Sequence, residues 1–135
     1  MAPLPTRQLI ELSGVSQRQV RWLAEHGVIS PQRASRRGAA TAWSPETLFE
    51  LLTLDAYRSA AGGDMAVEPA RRMLAVLREF RQAPEPGYFL IITEASVQVA
   101  DERGVLRTLK AARGMVIVCL DRVQEQFSAL TDRLS

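Results

Sequence analysis

Ser13-Gly14-Val15-Ser16-Gln17-Arg18-Gln19-Val20-Arg21-Trp22-Leu23 decides how the front of this chain folds. Upstream of it, Thr6 is expected to cap a first helix that runs to Ser13 with Leu9, Ile10 and Leu12 as its apolar side. Gly14 ends that helix, because glycine takes the left-handed conformation that closes a helix without steric cost. Val15 then points inward. Ser16 opens a second helix: Ser16-Gln17-Arg18-Gln19 is the S-x-x-Q form of the capping box, in which serine and glutamine satisfy each other's free backbone N–H groups. At 100° per residue Val20, Leu23 and Ala24 share one face, and Arg18, Arg21, Trp22 and Glu25 share the other. Gly27 closes this helix. Two helices joined by a tight turn, the second with arginines on its open side, are the parts of a helix-turn-helix.

The segment that follows strengthens this reading. Val28-Ile29-Ser30-Pro31 turns the chain out of the helix. Gln32 to Ser35 and Ala39 to Trp43 are expected as two short strands with Arg36-Arg37-Gly38 at the tip, a small wing; a basic loop that orders on its ligand is the alternative. Between Thr6 and Trp43 six arginines stand against Glu11 and Glu25, a balance of +4, which leaves −2 on the remainder of a chain whose net charge is +2. A basic part joined to a mildly acidic part is the footprint of a nucleic-acid-binding unit attached to a non-binding one.

Ser44-Pro45-Glu46 starts a third helix, with a capping serine, proline at the first position and an acid in the first turn. Leu48, Phe49, Leu51, Leu52, Leu54 and Tyr57 make it apolar over most of its circumference, so it is expected to pack on two sides. Ala61-Gly62-Gly63-Asp64 breaks it at a hinge. A fourth helix is expected from Pro69 to Gln82, with Ala70, Met73, Leu74, Leu77 and Phe80 buried. Arg71, Arg72, Arg78 and Arg81 form its solvated face, with a second DNA contact as the alternative. Ala83-Pro84-Glu85-Pro86-Gly87 reads as a boundary. Beyond it come a strand from Tyr88 to Thr93, a second from Ser96 to Ala100, and a helix from Asp101 to Arg113 with Val105, Leu106, Leu109 and Ala112 inward. A buried strand from Met115 to Leu120 and an amphipathic helix from Asp121 to Leu134 complete the chain. The expectation is an α+β fold: an N-terminal winged helix-turn-helix in residues 1–61, a connecting helix and linker in 62–87, and a small β-β-α-β-α domain in 88–135.

Three linked stretches resemble the DNA-binding domain of the MerR family of transcriptional regulators. Ser13 to Arg21 is similar to that family's turn and recognition helix. Glu25-His26-Gly27-Val28-Ile29-Ser30-Pro31-Gln32-Arg33 is similar to its "E-x-G-L-I-x-P-x-R" exit. Gly38 through Trp43-Ser44-Pro45-Glu46 is similar to the return of its wing into the next helix. The resemblance covers about the first 55 to 60 residues. It implies Arg18 and Arg21 at base edges and backbone, and wing arginines on flanking phosphates. The chain departs from the family at Trp22-Leu23, where an aromatic pair is usual. It departs again at Gly38-Ala39-Ala40-Thr41-Ala42-Trp43, where Gly-Tyr-Arg-Arg-Tyr is usual. No single long dimerisation helix follows.

Other classes find little support. His26 is the one histidine and Cys119 the one cysteine of the 135 residues. His26 reads as structural at a helix C-terminus, and Cys119 as a small hydrophobe in an apolar strand. No catalytic constellation, metal-spaced ligand set or cofactor motif is present, so no enzyme, metal or cofactor is expected. No apolar run approaches the roughly 20 residues that span a bilayer, and Met1-Ala2-Pro3-Leu4-Pro5 is too short and proline-rich for a signal core. A cytoplasmic, nucleoid-associated protein is expected. The sequence-level expectation is therefore a transcription regulator that binds double-stranded DNA as a homodimer on an inverted repeat. Its DNA-contacting residues would be Ser16, Gln17, Arg18, Arg21, Trp22, Arg33, Arg36 and Arg37. The alternatives are an adaptor that binds DNA only with a partner, with residues 88–135 taking a protein or small effector, and an excisionase-like architectural protein.

Overall fold

The computed structural model describes residues 2–33 and 40–134. Among these the fold is α+β, with six helices and two small antiparallel sheets. The order is β1 (Leu4–Pro5), α1 (Thr6–Ser13), α2 (Gln17–Glu25), β2 (Ala42–Trp43), α3 (Pro45–Ala61), α4 (Val67–Gln82), β3 (Phe89–Ile92), β4 (Val97–Ala100), α5 (Glu102–Ala111), β5 (Val116–Cys119) and α6 (Leu120–Asp132).

The central element is α3. Leu48, Phe49, Leu51, Leu52 and Leu54 are all buried, and so are Thr47, Glu50 and Thr53, so α3 is closed to water from Thr47 to Leu54. Its polar side chains are satisfied locally or by neighbours: Thr53 Oγ1 donates to the Phe49 carbonyl at 2.9 Å, and Glu50 accepts from Arg78. One side of α3 packs on α1 and the other on β5 and α6. A continuous cluster of buried side chains runs from Leu4 and Leu9 through Leu51, Met73 and Leu77 to Leu90, Val118 and Val123.

The first sheet pairs β1 with β2, Leu4 opposite Trp43 and Pro5 opposite Ala42. Of the second expected wing strand, the described residues form β2 only over Ala42–Trp43. Arg33 and Ala42 form one antiparallel bridge, and the partner of Trp43 is the entry segment Leu4–Pro5. Residues 34–39, which hold the rest of the expected wing, lie outside the described residues. Thr6 does not cap α1. Pro5 takes the capping position, and the Thr6 hydroxyl accepts a hydrogen bond from Trp43 Nε1 at 2.9 Å. Ser44 does cap α3 by position, but its hydroxyl meets Thr47 Oγ1 rather than a backbone N–H. Pro69 falls in the first turn of α4 instead of opening it; a first-turn N–H has no acceptor within the helix, so proline costs nothing there.

The second sheet has the order β4-β3-β5, antiparallel throughout. Alternation puts Leu90, Ile92, Val97, Val99, Val116 and Val118 on the face that joins the core with α3 and α4. Phe89, Ile91, Gln98, Ala100, Ile117 and Cys119 are on the other face. There α5 lies, held by a hydrogen bond from Gln98 Nε2 to Thr108 Oγ1 at 3.0 Å. Two expectations fail here. Leu106 and Leu109 point outward, not inward, because the side of α5 that meets the sheet is the one carrying Gly104, Val105 and Thr108. The last strand is buried on one face only, and Ile117 is exposed.

The arginines of α4 also differ from expectation: three of the four hold the fold together. Arg71 Nη2 donates to the His26 carbonyl at 2.8 Å. Arg78 reaches both carboxylate oxygens of Glu50, at 2.6 and 3.2 Å, and the Val28 carbonyl at 3.0 Å. Arg81 lies 3.9 Å above the centre of the Phe49 ring, pairs with Glu46 on α3 and donates to Gln124 Oε1 on α6 at 2.7 Å. Only Arg72 keeps a fully solvated role.

Candidate nucleic-acid interface

The expected cap of α2 is present. Ser16 Oγ accepts from the Gln19 N–H at 3.1 Å, and the Ser16 N–H donates to Gln19 Oε1 at 3.2 Å. Gly14 ends α1 at φ 74° with its N–H on the Ile10 carbonyl, and the turn buries Val15 between the helices. The far end of α2 is pinned as firmly. Gly27 stands at φ 70°, its N–H bonds to the Ala24 carbonyl, and the Val28 N–H reaches back to Leu23 at 2.9 Å. These two bonds make a Schellman closure, with Val28 and Ile29 buried behind it. His26 has the structural role its position suggested: its Nδ1 lies 2.9 Å from the Trp22 carbonyl. The α2 exit is then clamped from outside by Arg71 and Arg78.

This frame leaves α2 buried along Val20 and Leu23 and open along Gln17, Arg18, Arg21 and Glu25. Neither Arg18 nor Arg21 has an ion-pair or hydrogen-bond partner among the described residues. That contrasts with Arg58, Arg71, Arg78 and Arg81, all of which are paired. The open face stands between two clefts. One, of about 360 Å³, is lined by Gln17, Arg21, Pro31, Thr41 and Trp43 and lies beside the Arg33–Ala42 bridge. The other, of about 730 Å³, is lined by Ser16, Arg18, Trp22, Arg58, Asp64 and Met65. Trp22 therefore faces the α3–α4 turn rather than the wing side, with its ring 5.2 Å from that of His26.

Of the residues expected at an interface, Gln17, Arg18 and Arg21 share one exposed ridge, and Trp22 borders it. The Ser16 hydroxyl is committed to the cap. Arg33 is exposed at the bridge where the chain leaves toward residue 34. Arg36 and Arg37 lie outside the described residues. Sequence reading missed Arg58, which ends up across the cleft from Arg18 while paired with Asp55 at 2.6 Å. Its position depends on the packing of α3 against α1, and no local motif announces it.

Among the described residues no three His, Cys, Asp or Glu side chains gather as a metal site, and no helix is long and apolar enough to cross a membrane. No protein-family model matches the sequence, and no curated protein matches it.

Proposed function

We propose that this protein is a sequence-specific transcription regulator that binds double-stranded DNA through a winged helix-turn-helix, with α2 as the reading helix. The observation that carries the reading is the ridge of Gln17, Arg18 and Arg21. Its backbone is fixed at both ends by a capping box and a Schellman closure, and its two arginines have no ion-pair or hydrogen-bond partner among the described residues. Arginine presents a rigid fork of donors that matches the acceptor pair on guanine in the major groove, and glutamine can read adenine. A helix flanked by two clefts can enter a groove without its neighbours colliding with the phosphate walls. Arg33, with Arg36 and Arg37 beyond it, supplies phosphate contacts, which give affinity and register but little sequence choice.

The functional unit in this reading is a homodimer on an inverted repeat, since one reading helix buries too little surface for specific binding alone. The chain acts by binding, without catalysis or a cofactor, in the cytoplasm at the nucleoid. The test is capture of fragmented host DNA by the purified protein at about 150 mM salt, where non-specific phosphate binding is weakened. The Arg18→Ala/Arg21→Ala double variant is the control. Enrichment of a few sites sharing an inverted repeat, lost in the variant, is expected. Uniform or absent capture by the unaltered protein overturns the proposal.

A further inference from the structure

Leu106, Leu109 and Ile117 are the large apolar side chains that stand exposed among the described residues, at 54%, 58% and 40%. All three lie on the same side of the C-terminal sheet. Ile117 pairs in register with Ile91, whose other neighbour is Gln98, and Gln98 is hydrogen-bonded to Thr108 of α5. The three are therefore on the outer side of the C-terminal sheet, opposite the face that packs on α3 and α4. Single exposed leucines are ordinary on a protein surface, but a confined group of them marks an interaction site.

The same helix carries the chemistry that says what would cover it. Arg103, Arg107 and Lys110 are exposed on the flank next to Leu106, and Arg113 follows at the end of the helix. None of these four cations has an ion-pair or hydrogen-bond partner among the described residues. The acids nearby are Asp101, whose carboxylate caps α5 by accepting from the Gly104 N–H at 2.9 Å, the exposed Glu102, and the exposed Glu94, which lines a small cleft with Arg113 but forms no ion pair with it. An apolar pair bordered by a strip of uncompensated positive charge is complementary to a segment with apolar anchors and carboxylates beside them.

We infer that the outer face of α5, with Ile117 of β5, is a docking surface for an acidic, apolar-anchored segment of a partner protein. A second copy of this chain fits the face less well, because a two-fold contact through α5 would bring the same four cations together. Duplex DNA offers nothing to Leu106 and Leu109. The inference does not depend on the DNA-binding reading, because the face lies away from α2 and uses none of its residues.

The test is selection of random short peptides, displayed on phage, against the full-length protein. The expected winners combine two or more Leu, Ile, Phe or Trp residues with a clear excess of Asp and Glu. Their affinity should fall roughly tenfold or more in Leu106→Ala/Leu109→Ala, and again in Arg107→Glu/Lys110→Glu. Both pairs are exposed, so both variants should keep the helical circular dichroism of the parent, and both should capture the same DNA as the parent. No enrichment, winners without acidic bias, or affinity indifferent to both variants overturns the inference. So does binding of the protein to phosphatidylcholine vesicles with about one third phosphatidylserine that both variants abolish, which assigns the face to a lipid surface. A self-association that the leucine variant abolishes overturns it as well, and assigns the face to a second copy.

Discussion

Arg18 and Arg21 are one turn apart, about 4.5 Å along the helix axis, on a ridge where neither forms an ion pair among the described residues. If α2 reads bases, the two classes of arginine in this region differ in what they contribute. Arg21→Ala should weaken binding to the specific site by roughly 1–3 kcal/mol and leave binding to random DNA nearly unchanged. Arg33→Ala should weaken both alike and flatten the salt dependence by about one counterion. Binding isotherms over a salt series separate these outcomes, and equal losses on specific and random DNA for both variants would exclude the division of labour. Arg78 is an arginine of the opposite kind. Its hydrogen bond to Glu50, reinforced by charge, outweighs burial and raises its pKa above the ordinary arginine range. The stability that a raised pKa on a cation contributes is lost only above that range, so deprotonation of Arg78 does not break the pair in ordinary buffers. Glu50→Ala would leave a half-exposed guanidinium on the Val28 carbonyl alone. The expected cost is about 1–2 kcal/mol by chemical denaturation, less than for a fully buried pair because water reaches Arg78. A double-mutant cycle with Arg78→Ala should recover most of that cost as coupling.

At the scale of elements, the ends of α1 and α2 were legible because they are set within a few residues. The Ser16–Gln19 box and the glycines at 14 and 27 need nothing distant. Ser16→Ala should cost about 1 kcal/mol of stability. What could not be read locally were the long-range partners. Leu4–Pro5 became a strand because Trp43 is opposite it, and Arg81 left the solvent because Phe49 and Gln124 converge on it. The α5 error has the same origin. Val105, Leu106, Leu109 and Ala112 form a plausible apolar stripe, but the sheet takes the Gly104 side. A Cβ on Gly104 would lie 2.6 Å from the Cβ of Ala100, so the glycine is what lets α5 approach β4. Alanine there gains about 1 kcal/mol in helix propensity. It loses roughly 1–3 kcal/mol by forcing α5 off the strand. Gly104→Ala should therefore lower the denaturation midpoint; a higher midpoint would mean that the contact relaxes freely.

For the whole molecule, the decisive fact is that α3 is shared. It touches α1 on one side and β5 and α6 on the other, and the buried side chains are continuous across it. Pro84-Glu85-Pro86-Gly87 looks like a boundary by composition, yet the Asp121 carboxylate accepts from the Gly87 N–H at 3.0 Å, and the Leu120 N–H donates to the Tyr88 carbonyl. The linker is tied to the start of α6 rather than left slack. Cooperativity follows from such an arrangement, because neither half can bury its apolar surface without α3. Both tryptophans, Trp22 and Trp43, lie in the N-terminal half, whereas far-ultraviolet circular dichroism reports helices in both. Tryptophan fluorescence and circular dichroism should therefore give coincident urea transitions. Leu51→Ala, which empties a fully buried position on α3, should cost about 2.7–5 kcal/mol and shift the two curves together. If fluorescence moved while circular dichroism kept a second, later transition, the C-terminal sheet would be folding without α3, and the shared core would not be what couples α2 to the C-terminal sheet.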